Sequence, residues 1–157
     1  MEVIGENWRG HARGTFEGIF DGHPALEGVP PEERHRILQR VRKEQADRYM
    51  RNLDSQGGEY GGWAPGPTYN GLQRTGSMLA YVRRQSLGMV SGNTARWVMN
   101  NATTGASVWP ITHQMGTEEG FGKNISIPQR KMWDLDAQDE ARTDAIITAE
   151  VSRIYGA

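Results

Sequence analysis

A helical period over residues 31–53 constrains the fold of this chain more than any other sequence feature. Pro31 suits the first turn of a helix, and Glu32 and Glu33 follow where the helix dipole favours negative charge. Apolar side chains recur at helical spacing, so one face can pack against a core, and Asn52 and Gly57 are expected to end the helical region. The apolar face consists of Ile37, Leu38, Val41, Tyr49, Met50 and Leu53, with Gln45 and Ala46 in its middle turn.

The opposite face of the same predicted helix is basic. It carries Arg34, Arg36, Arg40, Arg42, Lys43, Arg48 and Arg51. Glu32, Glu44 and Asp47 can pair with these cations along the helix. Two interpretations therefore stay open for this charged face: a solvated surface, or a surface that faces phosphates or an acidic neighbour.

Glycine punctuates the first 29 residues. The chain has 20 glycines in 157 residues, and its hydrophobic fraction of 36% is low for a soluble domain. Because no regular period survives the glycines in this segment, we predict an extended N-terminal arm over residues 1–29 and a single domain over residues 30–157. The arm is either a disordered tail or a segment whose Trp8, Phe16 and Phe20 dock on a neighbouring subunit.

The rest of the chain predicts short elements and one long closing helix. Glycine and proline predict a loop over residues 54–70, which Tyr60 and Trp63 pin onto the core. Residues 72–83 could form a short helix or a strand, and we favour a helix around residues 78–82. Residues 116–122 are expected to form a flexible loop. Residues 137–155 predict a helix that ends at Gly156, and its apolar face would hold Ala141, Ile147, Val151 and Ile154.

Strands are predicted where apolar and polar side chains alternate. Residues 87–90 suggest one strand, and Ala95, Trp97 and Met99 alternate with polar neighbours in the next. Residues 108–111 suggest a short strand or a helix start, and Ile125 and Ile127 a last strand. The predicted fold class is α+β: a small antiparallel β-sheet packed by an N-terminal amphipathic helix and a C-terminal helix.

The composition narrows the classes of function. The chain has no cysteine, so disulfides, thiolate metal sites and cysteine nucleophiles are excluded, and its net charge of -1 lacks the basic excess of a free-standing nucleic-acid binder. No apolar run is long enough for a transmembrane helix, and the first residues lack the pattern of a signal peptide. We therefore expect the protein to be cytoplasmic at synthesis.

Candidate catalytic and metal-binding residues are few. Among the four histidines, none has a metal-ligand spacing to another histidine or a carboxylate, and His113 fits a hydrogen-bonded structural residue better than a catalytic one. The acidic stretch over residues 134–140 suits the capping of a helix N-terminus better than a cation site. The sequence has no phosphate-binding loop and no nucleophile elbow. We expect no enzymatic activity, no metal and no cofactor.

Three short motifs occur in order between residues 72 and 133. The first is Leu72-Gln73-Arg74-Thr75-Gly76-Ser77-Met78-Leu79, the second Trp109-Pro110-Ile111-Thr112-His113-Gln114-Met115-Gly116, and the third Ile127-Pro128-Gln129-Arg130-Lys131-Met132-Trp133. With a basic helix before them and a helix after them, they resemble the virion morphogenesis, or tail completion, family of tailed bacteriophages. Trp109-Pro110 and Lys131-Met132 depart from the usual residues of that family at those positions.

The resemblance implies a structural protein of the virion. Proteins of this family form a ring at the junction of head and tail, between the head connector or stopper protein and the tail tube, and the genome passes through the ring. Sixfold symmetry is what the resemblance implies, with a twelvefold connector layer as the alternative. The location would be the virion, after assembly in the host cytoplasm. The scaffold residues would be Leu72, Thr75, Gly76, Leu79, His113, Gln114, Gly116, Ile127, Pro128 and Arg130.

A ring requires contacts between identical copies. Exposed aromatic and methionine side chains serve such contacts, and Met78, Met89, Met99 and Met115 are further candidates for them. Alternative functions are a nucleic-acid-binding protein that uses the basic helix 34–51, a different neck or minor tail subunit, and a small hydrolase or metal enzyme around His113 and the acidic stretch 134–140. The candidate subunit interface comprises Trp8, Phe16, Phe20, Trp63 and Trp133.

Overall fold

The fold was analysed in a computed structural model of the chain. The structure describes residues 2–5, 15–63, 77–100, 102–104, 106–108, 114, 117–120, 125–127 and 129–156. Within them, helix α1 spans Pro31–Asp54, α2 spans Ser77–Ser86 and α3 spans Ala137–Tyr155, and a 3-10 helix covers Pro24–Leu26. No helix of these described ranges has both the length and the apolar character needed to cross a bilayer.

The described strands form one four-stranded sheet and two hairpins. Strands β1 (Glu2–Gly5), β2 (Thr15–Asp21), β3 (Met89–Ser91) and β4 (Thr94–Asn100) are antiparallel, in the order β1-β2-β4-β3. Strands β5 (Ala102–Thr104) and β6 (Ala106–Val108) pair with each other, as do β7 (Thr117–Gly120) and β8 (Ile125–Ile127). The predicted α+β class, with a small antiparallel sheet packed by helices, is confirmed.

Helix α1 lies at the centre of the molecule. Pro31 occupies its first turn, and the predicted apolar face is buried from Ile37 to Leu53, with Met50 only partly buried. Tyr49 joins this face to the sheet: its ring stacks on Trp133 at a centroid distance of 5.6 Å and meets the edge of Trp97 at 6.0 Å. The helix ends at Asp54, so Asn52 does not end the helical region but lies buried within it.

The interpretation of residues 15–29 as an extended arm is wrong. Strand β2 pairs along its full length with β4, and the side chains of Phe16 and Phe20 are 6% and 5% exposed. Gly18 lies between the two phenylalanines and pairs with Trp97 of β4, where an added Cβ would make an ordinary contact with the Trp97 side chain at 3.9 Å. The pairing with β4 and the burial of both phenylalanines therefore maintain a strand in spite of a glycine that lowers its strand propensity.

Two further local predictions differ from the structure. Residues 117–120, expected in a flexible loop, form β7, because Thr117 pairs with Ile127 of the predicted last strand. In α3 the buried positions include Thr143, Ile146 and Ile147, whereas Ala141 is exposed. The predicted position of Ile147 is confirmed, and the buried face is rotated away from Ala141.

The sequence correctly placed the acidic stretch at the start of a helix. Asp136 is the N-cap of α3, and its carboxylate accepts a hydrogen bond from the Asp139 N–H at 2.9 Å. The Asp139 carboxylate accepts one from the Asp136 N–H at 3.1 Å, which completes a capping box. Gly156 ends the helix in the left-handed conformation, with φ of 70°.

Candidate functional site

Three of the motif residues, Gln114, Arg130 and Leu79, lie in the core or pack against it. Gln114, from the second motif, is buried; its Oε1 accepts hydrogen bonds from Met132 N at 2.8 Å and Trp133 N at 3.0 Å, and its Nε2 donates to Trp133 O at 2.5 Å. Arg130, from the third motif, is fully buried. Leu79, from the first motif, packs on the core from α2.

An extended segment before α3 depends on these side chains. Residues 131–134 pair with no strand among the described residues, so their backbone polar groups need other partners. Asn52 Nδ2 donates to Lys131 O at 2.9 Å and to Met132 O at 3.0 Å, and Trp63 Nε1 donates to Lys131 O at 2.9 Å. Together with Gln114, these side chains supply the hydrogen bonds that a neighbouring strand would otherwise make to this segment. No sequence pattern indicated that Asn52 supports this segment, because its partners are distant in the chain.

The other motif residues fall largely outside the described part of the chain. Ile127 is the last residue of β8. Trp8, Met115 and the motif residues Leu72, Thr75, Gly76, His113, Gly116 and Pro128 lie outside the described residues. The structural role predicted for His113 therefore stays a prediction.

The candidate interface aromatics prove to be mostly core residues. Trp133 is 1% exposed, and Phe16 and Phe20 are buried with it, so these three residues form no part of a surface. Trp63 is half-buried and packs against the core, as predicted for a residue that pins the loop after α1. Met78 and Met99 are buried as well, whereas Met89 is 59% exposed.

The exposed apolar side chains lie elsewhere. Leu87 is 53% exposed in the turn after α2, and Met89 is 59% exposed on β3, the strand at one end of the described four-stranded sheet. We call Leu87 and Met89 the edge patch. Tyr155, at the end of α3, is 54% exposed. Met89 was in the methionine set that the sequence singled out, but no sequence signal separated it from buried Met78 and Met99.

The basic face of α1 divides into a buried cation and surface cations. Arg48 is 3% exposed and therefore does not belong to a solvated face. Its Nη1 lies 2.7 Å from Oδ1 of Asp136 and 2.7 Å from Oδ1 of Asp139, and its guanidinium lies 4.3 Å from the centre of the Tyr60 ring. Burial opposes the charge of Arg48, but the hydrogen bonds to the two carboxylates outweigh it and raise the pKa of the guanidinium.

Two residues that contact Arg48, Asp136 and Tyr60, have shifted pKa values. The hydrogen bonds from Arg48 hold the pKa of Asp136 at about 2, against an ordinary value of 3.8. Tyr60 donates from its hydroxyl to Oδ2 of Asp139 at 3.0 Å, and burial raises the pKa of Tyr60 well above its ordinary value. The cluster joins the middle of α1, the following loop and the start of α3, and its internal pairing indicates a scaffold.

A second charged cluster joins α1 to the end of α3. The Glu150 carboxylate accepts from Arg40 Nη1 at 2.5 Å and from Arg153 Nε at 3.1 Å, and it lies 2.9 Å from Arg36 Nη2. Hydrogen bonds from Arg36 and then Arg40 lower the pKa of Glu150 to about 2. The side chain of Glu150 is only 8% exposed, so the three arginines enclose it.

The remaining predicted cations of this face have varied partners. Lys43 pairs with Asp47 at 2.8 Å and Arg51 with Glu59 at 3.1 Å. Arg42 donates to Gln39 Oε1 and to Leu87 O, and Arg34 to Asn93 Oδ1 and Val29 O, so these two arginines bind neutral acceptors. Five of the seven predicted cations are thus matched by a carboxylate: Arg36, Arg40, Lys43, Arg48 and Arg51.

No cluster of three or more histidine, aspartate or glutamate side chains that could hold a metal ion occurs in the described ranges. Comparison of the chain with protein-family models, with curated proteins and with solved structures finds no match.

Proposed function

We propose that this protein is a structural subunit of a tailed bacteriophage, which assembles through contacts between identical copies into a ring at the head–tail junction. The three ordered motifs support the proposal, together with the position of their described polar residues. Gln114 and Arg130 are both buried, which suits residues that maintain a scaffold. The assignment to the tail completion layer rests on the resemblance of the motifs.

The edge patch is the observation that carries this proposal. A strand at the end of a sheet presents backbone N–H and C=O groups that can pair with another chain. On this strand and in the turn before it, Met89 and Leu87 expose two large apolar side chains two residues apart, where a neighbouring copy would remove them from water. Contacts between copies therefore gain both apolar burial and strand pairing at the same place.

A closed ring needs a second, different patch on each copy. Tyr155 supplies an exposed aromatic side chain at the end of α3. Leu87 and the helix that carries Tyr155 lie on different flanks of α1, because Arg42 contacts the main chain of Leu87 and Arg40 contacts Glu150 of α3. Positions two apart on a helix are rotated by about 200°, so their side chains point to nearly opposite sides. This placement suits head-to-tail contacts better than a twofold dimer.

The charge pairing on α1 favours the ring over the nucleic-acid-binding alternative. Each cation that contacts a phosphate strengthens the binding of DNA, and tight binding would hinder the passage of a genome. Most cations of α1 are already matched by carboxylates of the same chain, such as Glu150 and Asp47. A ring of such subunits would leave few free cations on this face.

The test compares the wild-type chain with Leu87→Glu/Met89→Glu. We expect the wild-type protein to form closed, sixfold rings in negative-stain micrographs and a matching mass in native mass spectrometry, and the double variant to be monomeric with an unchanged circular dichroism spectrum. Ala145→Glu adds a charge on the exposed side of α3 and serves as the control that should still assemble.

Two outcomes would contradict the proposal. One is a wild-type chain that stays monomeric at every concentration and in the presence of purified tail tubes. The other is a monomer that binds duplex DNA with an affinity that falls steeply with salt, which would support the nucleic-acid-binding alternative.

A further inference from the structure

We propose that a cleft beside the start of α1 binds a small organic monocarboxylate. The cleft has a volume of about 310 Å³ and lies between the Gly22–Gly28 turn, Arg34 of α1 and Asn93 in the turn that joins β3 and β4. This volume is at the lower end of the range for small-molecule sites, about 300–1,000 Å³. The proposal does not depend on assembly into a ring.

The cation in this cleft lacks a carboxylate partner among the described residues. Arg34 Nη1 donates to Asn93 Oδ1 at 2.6 Å, and Nη2 donates to Val29 O at 2.8 Å, so both acceptors are neutral. Each of these two Nη atoms carries a second N–H, so the guanidinium has donors beyond the two bonds to neutral acceptors. A carboxylate ligand would accept from these donors and would match a cation that no carboxylate of the described residues pairs with.

Asn93 adds neutral donors beside the guanidinium. Because its Oδ1 accepts the hydrogen bond from Arg34, its amide NH₂ group is left to donate elsewhere. A carboxylate has two oxygens, so one can accept from Arg34 and the other from Asn93. The pair of side chains thus offers two adjacent donors of different charge to one planar acceptor.

The remaining walls determine the size and the charge of the ligand. Two hydrogen bonds hold the His23 ring in place. Its Nδ1 accepts from Ala25 N at 3.0 Å, and its Nε2 donates to Asp144 Oδ1 at 2.7 Å. Leu26 contributes an apolar wall that suits a short aliphatic chain. Glu27 also lines the cleft, and its negative charge disfavours a dianion such as phosphate. A monovalent carboxylate with a small apolar tail fits these walls best.

Nuclear magnetic resonance of the full chain tests the site with sodium butyrate as the probe. We expect saturable shifts of the Arg34 Nε–H and Asn93 side-chain amide signals, and a weaker response to phosphate at equal ionic strength. Asn93→Asp keeps the acceptor for Arg34 but adds an internal carboxylate, so we expect the affinity for butyrate to fall by about tenfold or more.

Two matched variants complete the experiment. Arg34→Gln should lose the response to butyrate, whereas Arg42→Gln, which removes another α1 arginine with neutral acceptors, should retain it. If Asn93→Asp binds butyrate as tightly as the wild-type chain, or if phosphate binds more tightly than butyrate, the proposal is wrong. Because Asn93→Asp preserves the hydrogen bond to Arg34, its result stands even if Arg34→Gln fails to fold.

Discussion

Gln114 shows how one polar side chain can support a segment that has no strand partner among the described residues. It makes three hydrogen bonds to the main chain of Met132 and Trp133, all buried. A buried N–H or C=O group without a partner is unfavourable, so the side chain of Gln114 stabilises the path that leads into α3. Its place in a short motif is consistent with a structural purpose, while its actual partners became visible only in the structure.

At this residue scale, we predict that Gln114→Ala lowers the free energy of unfolding by about 3 kcal/mol, because it leaves two buried donors and one acceptor unsatisfied. Gln85→Ala removes a single hydrogen bond, from Nε2 to Val98 O at 2.8 Å, and should cost about 1 kcal/mol. Urea denaturation followed by tryptophan fluorescence measures both values. Equal losses in the two variants would show that Gln114 has no special role in the scaffold.

Among the elements, α1 and α3 are joined by charge at both ends of α3. The start of α3 meets α1 through Arg48 and Asp136, and its end meets α1 through Arg36, Arg40 and Glu150. The two contacts differ in kind, since Arg48 is buried while Arg36 and Arg40 are nearly half exposed. Solvent screens the second contact, yet Glu150 itself is almost enclosed, so its protonation state matters for the packing of the helices.

The lowered pKa of Glu150 predicts how stability depends on pH. A carboxylate whose pKa falls from 4.5 in the unfolded chain to about 2 in the fold stabilises the fold fully above pH 4.5. This contribution is lost as the pH falls from 4.5 toward 2, because the folded protein must then bind the proton as well. Glu150→Gln should therefore flatten the dependence of the unfolding free energy on pH in that window.

Asp136 titrates in a similar window, so the control compares pH profiles rather than single values. Glu44→Gln removes a carboxylate of α1 outside the cluster of Glu150 with Arg36, Arg40 and Arg153, so this control should retain the loss of stability that Glu150 causes in that window. Chemical denaturation at a series of pH values gives the measurement. If the unfolding free energy of Glu150→Gln depends on pH in the same way as that of the wild-type chain, the charged cluster around Glu150 does not stabilise the contact between α1 and α3.

At the scale of the whole molecule, the N-terminal segment is part of the fold. Strand β2 is flanked by β1 and β4 in the sheet, and its two phenylalanines contribute to the same core as α1. A domain that begins at residue 30 would lose this strand, leave the edge of β4 unpaired and remove the phenylalanines beside Trp97 and Met99 from the core. Loss of each buried phenylalanine side chain alone costs about 3–5 kcal/mol, a large share of the stability of a small domain.

We therefore predict that a chain lacking residues 1–29 does not fold cooperatively. Circular dichroism and thermal unfolding should show no sharp transition for this truncation, whereas Phe16→Ala should unfold sharply at a lower temperature than the wild-type chain. A truncated protein with a native spectrum and an unchanged melting temperature would restore the interpretation of these residues as an arm.

Local sequence patterns predicted an element correctly where its structure depends mainly on residues close to it in the chain. The helical period of residues 31–53, the alternation of Ala95, Trp97 and Met99, and the capping residues before α3 all predicted elements that the structure contains. Each of these signals depends on neighbours a few residues away, so it can be read from the chain alone. The α+β class followed from the order of these elements.

Contacts between distant residues decided the rest. The glycines near Phe16 and Phe20 obscured a strand that is stabilised by pairing with β4, about 80 residues later in the chain. Arg48 looked like its basic neighbours, but its position opposite Asp136 and Asp139 buries it. The edge patch and the cleft at Arg34 likewise arise from side chains that only the packing of strands and helices exposes or brings together. Periodicity reports which face of an element is apolar, whereas tertiary packing determines what that face meets.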